Sequence, residues 1–125
     1  VRRRVFTREQ HALGKAVLHT LADSIHKAGS VPLILFFPTM MELADSPNMS
    51  GPPPSPYATT LLDELGLPYE DMTACVRTVS PEHRFAPNGH YSAETNAALA
   101  SCLPDIVRKR MSQTRPHQAV LARQH

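Results

Sequence analysis

A chain of 125 residues, 42% of them apolar, fits one compact domain or part of a larger one with an ordinary buried core. The formal net charge is +2, and the basic excess sits at the two ends, in Arg2-Arg3-Arg4 and in Arg108-Lys109-Arg110 with Arg115 and Arg123 beyond. A nucleic-acid module carries its basic residues along one face with aromatics interleaved, so these clusters read as solvated ends, and nucleic acid is not an expected partner. No stretch is apolar for long enough to cross a bilayer.

The chain opens on a basic cluster with no apolar run behind it and no initiator methionine, so we expect it to begin within a longer protein. Thr7 and Gln10 form a capping box that starts a helix. Leu13, Val17, Leu21, Ile25 and Ala28 recur at helical spacing, with Gly29 as the stop and His11, His19 and His26 as surface positions. Val31 to Phe37 is a continuous apolar run bounded by Pro38, the pattern of a strand buried on both faces. Residues 45–56 are rich in Ser, Gly and Pro and read as an extended loop or lid.

A short helix from Tyr57 to Leu65 then stops at Gly66, and Leu67-Pro68-Tyr69 leads a second strand through Glu70 to Thr73 and on into Ala74-Cys75-Val76. Ser80 to His83 reopens loop structure. Ser92 caps a last helix carrying Ala97, Ala98, Leu99, Cys102 and Leu103, which Pro104 either kinks or extends by a further turn through Ile106, Val107 and Met111. Periodicity fades from Ser112 onward. The alternation predicts an α/β fold with a mainly parallel sheet in residues 1–107 and a basic polar tail over 108–125. Two visible strands make a poor sheet, a second reason to expect further sequence upstream.

Cys75 and Cys102 flank a loop that bears a histidine. Their spacing matches none of the paired zinc motifs, and it leaves a disulfide and two buried thiols both open. We take the disulfide as the expectation, and with it an oxidising compartment, periplasmic or extracellular. Neither a metal nor a cofactor is expected.

The histidine itself, His90, lies in the Pro/Gly-punctuated stretch Phe85-Ala86-Pro87-Asn88-Gly89-His90-Tyr91-Ser92 just ahead of the last helix. A loop histidine held between rigid elements stays reachable, and imidazole titrates near working pH. As a general base it needs a nucleophile in reach and a group that fixes its tautomer. Asn88 is the adjacent candidate for that second role, with Glu82, Glu94, Asp71 and Asp105 as charged substitutes. His83 reads as a solvated neighbour.

Asn88-Gly89-His90-Tyr91-Ser92, with Asn96 and Ala100 on the helix that follows, resembles the C-terminal catalytic block of the SGNH (GDSL-like) hydrolases. The helix leading to Val31–Phe37 and the Leu65-Gly66-Leu67-Pro68 segment resemble what precedes that block, so the similarity spans roughly residues 8 to 107. The resemblance implies the C-terminal part of a three-layer α/β/α, flavodoxin-like sandwich. It implies hydrolysis or transfer of an ester, often an acyl group on a carbohydrate or lipid, with His90 as the catalytic base. The nucleophilic serine and the oxyanion-hole Gly and Asn would lie upstream. Where the family carries an aspartate two or three residues before the histidine, this chain has Asn88 and Pro87. That difference keeps a second reading open, a non-catalytic ligand-binding or scaffold domain.

Overall fold

The computed structural model describes residues 6–45, 50–53 and 56–121, with side chains as far as residue 113. Four helices and two very short strands follow one another as α1 (Arg8–Lys27), β1 (Leu35–Phe36), α2 (Tyr57–Glu64), β2 (Glu70–Asp71), α3 (Thr73–Val76) and α4 (Ala93–Leu121), with a 3-10 turn over Pro81–His83 before α4. The Arg2–Arg4 cluster, most of the proline-rich segment's centre (46–49 and 54–55) and the last residues (122–125) lie outside the described residues.

Local chemistry accounts for the ends of the first two helices. Thr7 accepts from the Gln10 backbone N–H while the Gln10 side chain accepts from the Thr7 N–H, the expected capping box. Both helices close with paired bonds back into the last turn: Gly29 N–H to His26 C=O with Ser30 N–H to Ile25 C=O, and Gly66 N–H to Asp63 C=O with Leu67 N–H to Leu62 C=O.

Helices α1 and α2 lie against each other. A Cβ on Gly14 would sit 3.1 Å from Leu61 Cδ1, so a larger residue there would press on α2. Ala22, Leu61 and Leu62 are buried in these helices, and the Phe6 and Tyr57 rings stack with centroids 3.8 Å apart. His11 is not the plain surface position that its spacing predicts. Its ring reaches Tyr57 Oη (3.1 Å) and Glu64 Oε2 (2.8 Å) on α2, and Lys15 joins the same carboxylate at 3.2 Å. The bonds from His11 and Lys15 hold the Glu64 carboxyl below its ordinary pKa.

The main core is built elsewhere, from Leu43, Met72, Val76 and Leu99, with Leu35, Phe85, Tyr91, Leu103 and Ile106 packed against it. Met72 and Val76 are wholly inaccessible. Cys75 and Cys102 join α3 to α4 in a disulfide, as expected, at the margin of this cluster.

The fold class differs from the α/β/α sandwich with a mainly parallel sheet. The protein is mostly helical, and β1 and β2 form a single parallel pair in the register Leu35↔Glu70 and Phe36↔Asp71, held by Glu70 N–H to Ile34 C=O and Met72 N–H to Phe36 C=O. Three features cut the strands short. Pro32 and Pro38 bracket β1, and Pro68 precedes β2, each without an N–H to donate. Asp71 Oδ1 accepts the Thr73 N–H at 2.9 Å, which turns the backbone into α3 where the apolar run Ala74-Cys75-Val76 predicts more strand. Beyond Pro104, α4 continues without interruption to Leu121, so the stretch expected as a tail begins as helix.

The disulfide closes a loop with a sequence separation of 27. Its loop-closure entropy contributes about 3.5 kcal/mol. Urea unfolding of the Cys75→Ser/Cys102→Ser protein is expected to give a stability lower by that order, and the unreduced, unfolded native protein is expected to resist thiol alkylation at both positions.

Candidate functional site

The His90 segment is a tight hairpin. Phe85 and Tyr91 face each other across an antiparallel bridge, Ala86 N–H donates to His90 C=O (2.8 Å), and Gly89 N–H donates to Ala86 C=O (2.9 Å). Pro87 occupies the first central position of the turn, where its ring presets φ. Gly89 follows at φ 83°, a left-handed conformation that side chains disfavour, and this completes the short hairpin loop. Phe85 and Tyr91 drop their rings on the core side with centroids 5.1 Å apart, which leaves Asn88, Gly89 and His90 at the exposed tip.

Below the tip the hairpin is anchored through Arg84. Its backbone carbonyl accepts both the Ser92 N–H (3.0 Å) and the hydroxyl of fully buried Thr95 (2.9 Å). Ser92 Oγ in turn accepts the Thr95 N–H at 3.1 Å, the expected N-cap of α4. The Arg84 side chain runs inward: Nη1 contacts both Asp45 carboxylate oxygens, at 3.0 and 2.9 Å, and Nε donates to Val79 C=O at 2.8 Å. With only about a tenth of either side chain exposed, this is a buried, charge-assisted pair.

The Tyr91 phenol donates to Pro38 C=O, just past the carboxyl end of β1. This bond ties the hairpin to the end of the strand pair where ligands gather in parallel sheets. Burial, with the Glu42 carboxylate as a smaller contribution, pushes the phenol up to about 12.

The two residues expected to carry chemistry are brought together only through the backbone. Asn88 Oδ1 accepts the His90 backbone N–H at 3.2 Å, so its amide closes the turn. Among the described residues no group bonds the His90 ring. Asp71, Asp105 and Glu94, considered as its orienting partners, are engaged elsewhere: Asp71 accepts the Thr73 N–H in the turn before α3, Asp105 pairs with Arg108 at 2.6 Å, and Glu94 lies 3.4 Å from His83 Nδ1. Glu82 bonds its own N–H and the Ser80 hydroxyl, which lowers its pKa.

Sequence reading missed the His83–Glu94 pair, since the partners sit on the 3-10 turn and on α4. Both side chains are about 60% exposed, so the contact adds little stability, but it gives His83, like His11, a carboxylate neighbour. It also missed the Arg84–Asp45 pair. Among the described residues no cluster of His, Cys, Asp and Glu has the arrangement of a metal site. A shallow depression of about 30 Å³ lined by Leu33, Pro68, Tyr69, Glu70 and Arg110 lies near the amino ends of the strands, away from the His90 tip. Comparison of the sequence with protein-family models, curated proteins and solved structures gives no match.

Arg84→Ala leaves the Asp45 carboxylate buried without its partner and is expected to cost about 3–5 kcal/mol by urea unfolding. Arg84→Lys, which keeps a charge but loses the fork, is expected to recover part of that. For Tyr91 the sign follows from its raised value. The folded protein keeps a proton that the unfolded state releases near pH 10, so this contribution is complete below about pH 10 and is lost as pH rises toward about 12. Tyr91→Phe is expected to flatten the alkaline fall in stability over that interval.

Proposed function

We propose that this chain is the histidine-bearing C-terminal part of an SGNH-type ester hydrolase or acyltransferase. His90 is the general base, and the serine that it activates comes from outside the 125 residues. The observation that carries this reading is the exposed His90 ring, free of partners among the described residues, on a hairpin anchored beside the carboxyl end of β1. An imidazole so presented can accept a proton from an incoming hydroxyl and return it to a leaving group. The class of substrate is an acyl ester, on a carbohydrate or a lipid.

Two further features fit. The Cys75–Cys102 disulfide is compatible with an oxidising environment, and the reading locates the protein in the periplasm or outside the cell. On α4, Arg108 is paired with Asp105, Lys109 with Glu70, and Arg110 Nε with Pro32 C=O. These internal partners favour leaving nucleic acid off the list of ligands. Among the described residues no helix is long and apolar enough to cross a membrane.

One observation favours the second reading, a ligand-binding or scaffold domain without turnover. Asn88 stands where the family has an acid, and its amide is spent on the backbone of the turn.

The two readings separate in the full protein that the gene encodes. Hydrolysis of short p-nitrophenyl esters is expected to fall about 10²- to 10⁴-fold in His90→Ala, with labelling by a fluorophosphonate probe on an upstream serine. Unchanged turnover in that variant removes His90 from the chemistry. Ligand binding with neither turnover nor labelling selects the scaffold.

A further inference from the structure

Helix α1 has two apolar faces, and only one is used inside the described structure. Gly14 belongs to the face turned to α2, and Ala22 is the buried residue of this helix. Leu13, Val17 and Leu21 form a separate i, i+4 row and remain 65%, 57% and 54% exposed. Large aliphatic side chains in a continuous exposed row mark a surface that something covers.

We infer that the occupant is a second copy of this chain, with α1 packed antiparallel on α1 about a two-fold axis at Val17. The row is its own complement in that arrangement. Val17 meets the partner's Val17, and Leu13 meets the partner's Leu21, the reciprocal contacts of a closed two-fold interface.

The charges beside the row select this geometry. Glu9 and Lys27 are both exposed and lie about five helical turns apart, so they fall on the same flank of α1. A two-fold axis across antiparallel helices sets each flank against the same flank of the other copy with its direction reversed. Glu9 therefore faces the partner's Lys27, and Lys27 faces the partner's Glu9. The centre of this charge pair is offset from Val17 by one residue, about 1.5 Å along the axis.

In parallel packing about a two-fold axis the same flanks lie on opposite sides of the pair, so Glu9 and the partner's Lys27 would not meet. Asp23 bonds Lys27 at 2.7 Å within the helix and holds that ammonium on the flank. A membrane surface is the poorer occupant, because the flank mixes acidic and basic groups where an interfacial helix carries rows of Lys and Arg. The interface shares no residue with the His90 hairpin and does not rest on its chemistry.

Sedimentation at low salt of the full protein that the gene encodes tests the assignment. The wild type is expected to sediment as a dimer and Val17→Glu as a monomer with unchanged helical circular dichroism. Glu9→Lys is expected to weaken the dimer about tenfold, and adding Lys27→Glu to restore it. Cys75 and Cys102 are bonded to each other, so Val17→Cys adds a free thiol at the two-fold axis, and it is expected to cross-link two copies through position 17 on mild oxidation. A monomeric wild type, a Val17→Glu protein that still dimerises, or a charge-swapped protein weaker than Glu9→Lys alone would overturn the interface. A monomer would leave the hydrolase reading where it stands, and an active His90→Ala enzyme would leave the dimer intact.

Discussion

The Arg84 guanidinium links parts of the protein that share no strand or helix. Its Nη1 holds Asp45, at the start of the Ser/Pro-rich segment, and its Nε holds the Val79 carbonyl that follows α3. Removing two such charges from water costs several kcal/mol each, and the cost is offset only because the pair is close and both groups keep hydrogen bonds. The same residue's carbonyl fixes Ser92 and Thr95, so the side chain sets the hairpin's foot while the backbone sets the start of α4. Against a total stability of roughly 5–15 kcal/mol for a small domain, the loss from removing one partner and leaving the other charge buried would be large.

Given that foot, the hairpin presents His90 without orienting it. Short range decides the presentation: a proline, a left-handed glycine and a cross-bridge between Phe85 and Tyr91 leave the tip nowhere to go but outward. Orientation of an imidazole needs a fixed acceptor at one ring nitrogen, and the candidate carboxylates Asp71, Asp105 and Glu94 are bonded to the Thr73 N–H, Arg108 and His83 instead. On the proposed reading, His90 is a base that awaits its partner groups. In that respect the nucleophile and the orienting acid are the same question, since both would have to approach the exposed tip from elsewhere.

Apolar surface is divided unevenly. The cluster around Met72, Val76, Leu43 and Leu99 is sealed by α4 and cross-linked at its edge, whereas α1 contributes one face to α2 and leaves Leu13, Val17 and Leu21 to solvent. A helix of this kind is held by polar contacts as well as burial. Glu64 gathers His11 and Lys15, and the Phe6–Tyr57 stack closes the N-terminal end. Such exposed contacts register α1 against α2 more than they stabilise it.

What can be read from the amino acids alone is what short-range chemistry settles. The Thr7–Gln10 box, the stops at Gly29 and Gly66, the Ser92 cap and the Pro/Gly loop of His90 each depend on groups within a few residues of one another, and each stands as read. Even the Cys75–Cys102 bridge, left open by spacing, has a chemical basis as an expectation. Tertiary structure decided the rest. Val31–Phe37 has the composition of a buried strand, but ladder length depends on a partner, and β2 offers only two residues between Pro68 and the turn made by Asp71. Ala74-Cys75-Val76 is helix because the Asp71 turn just before it bends the backbone into α3, and from there Val76 and Cys75 still reach the core. The pairings of Arg84 with Asp45, His11 with Glu64 and His83 with Glu94 join residues distant in sequence or on separate elements, where no periodicity reports a neighbour.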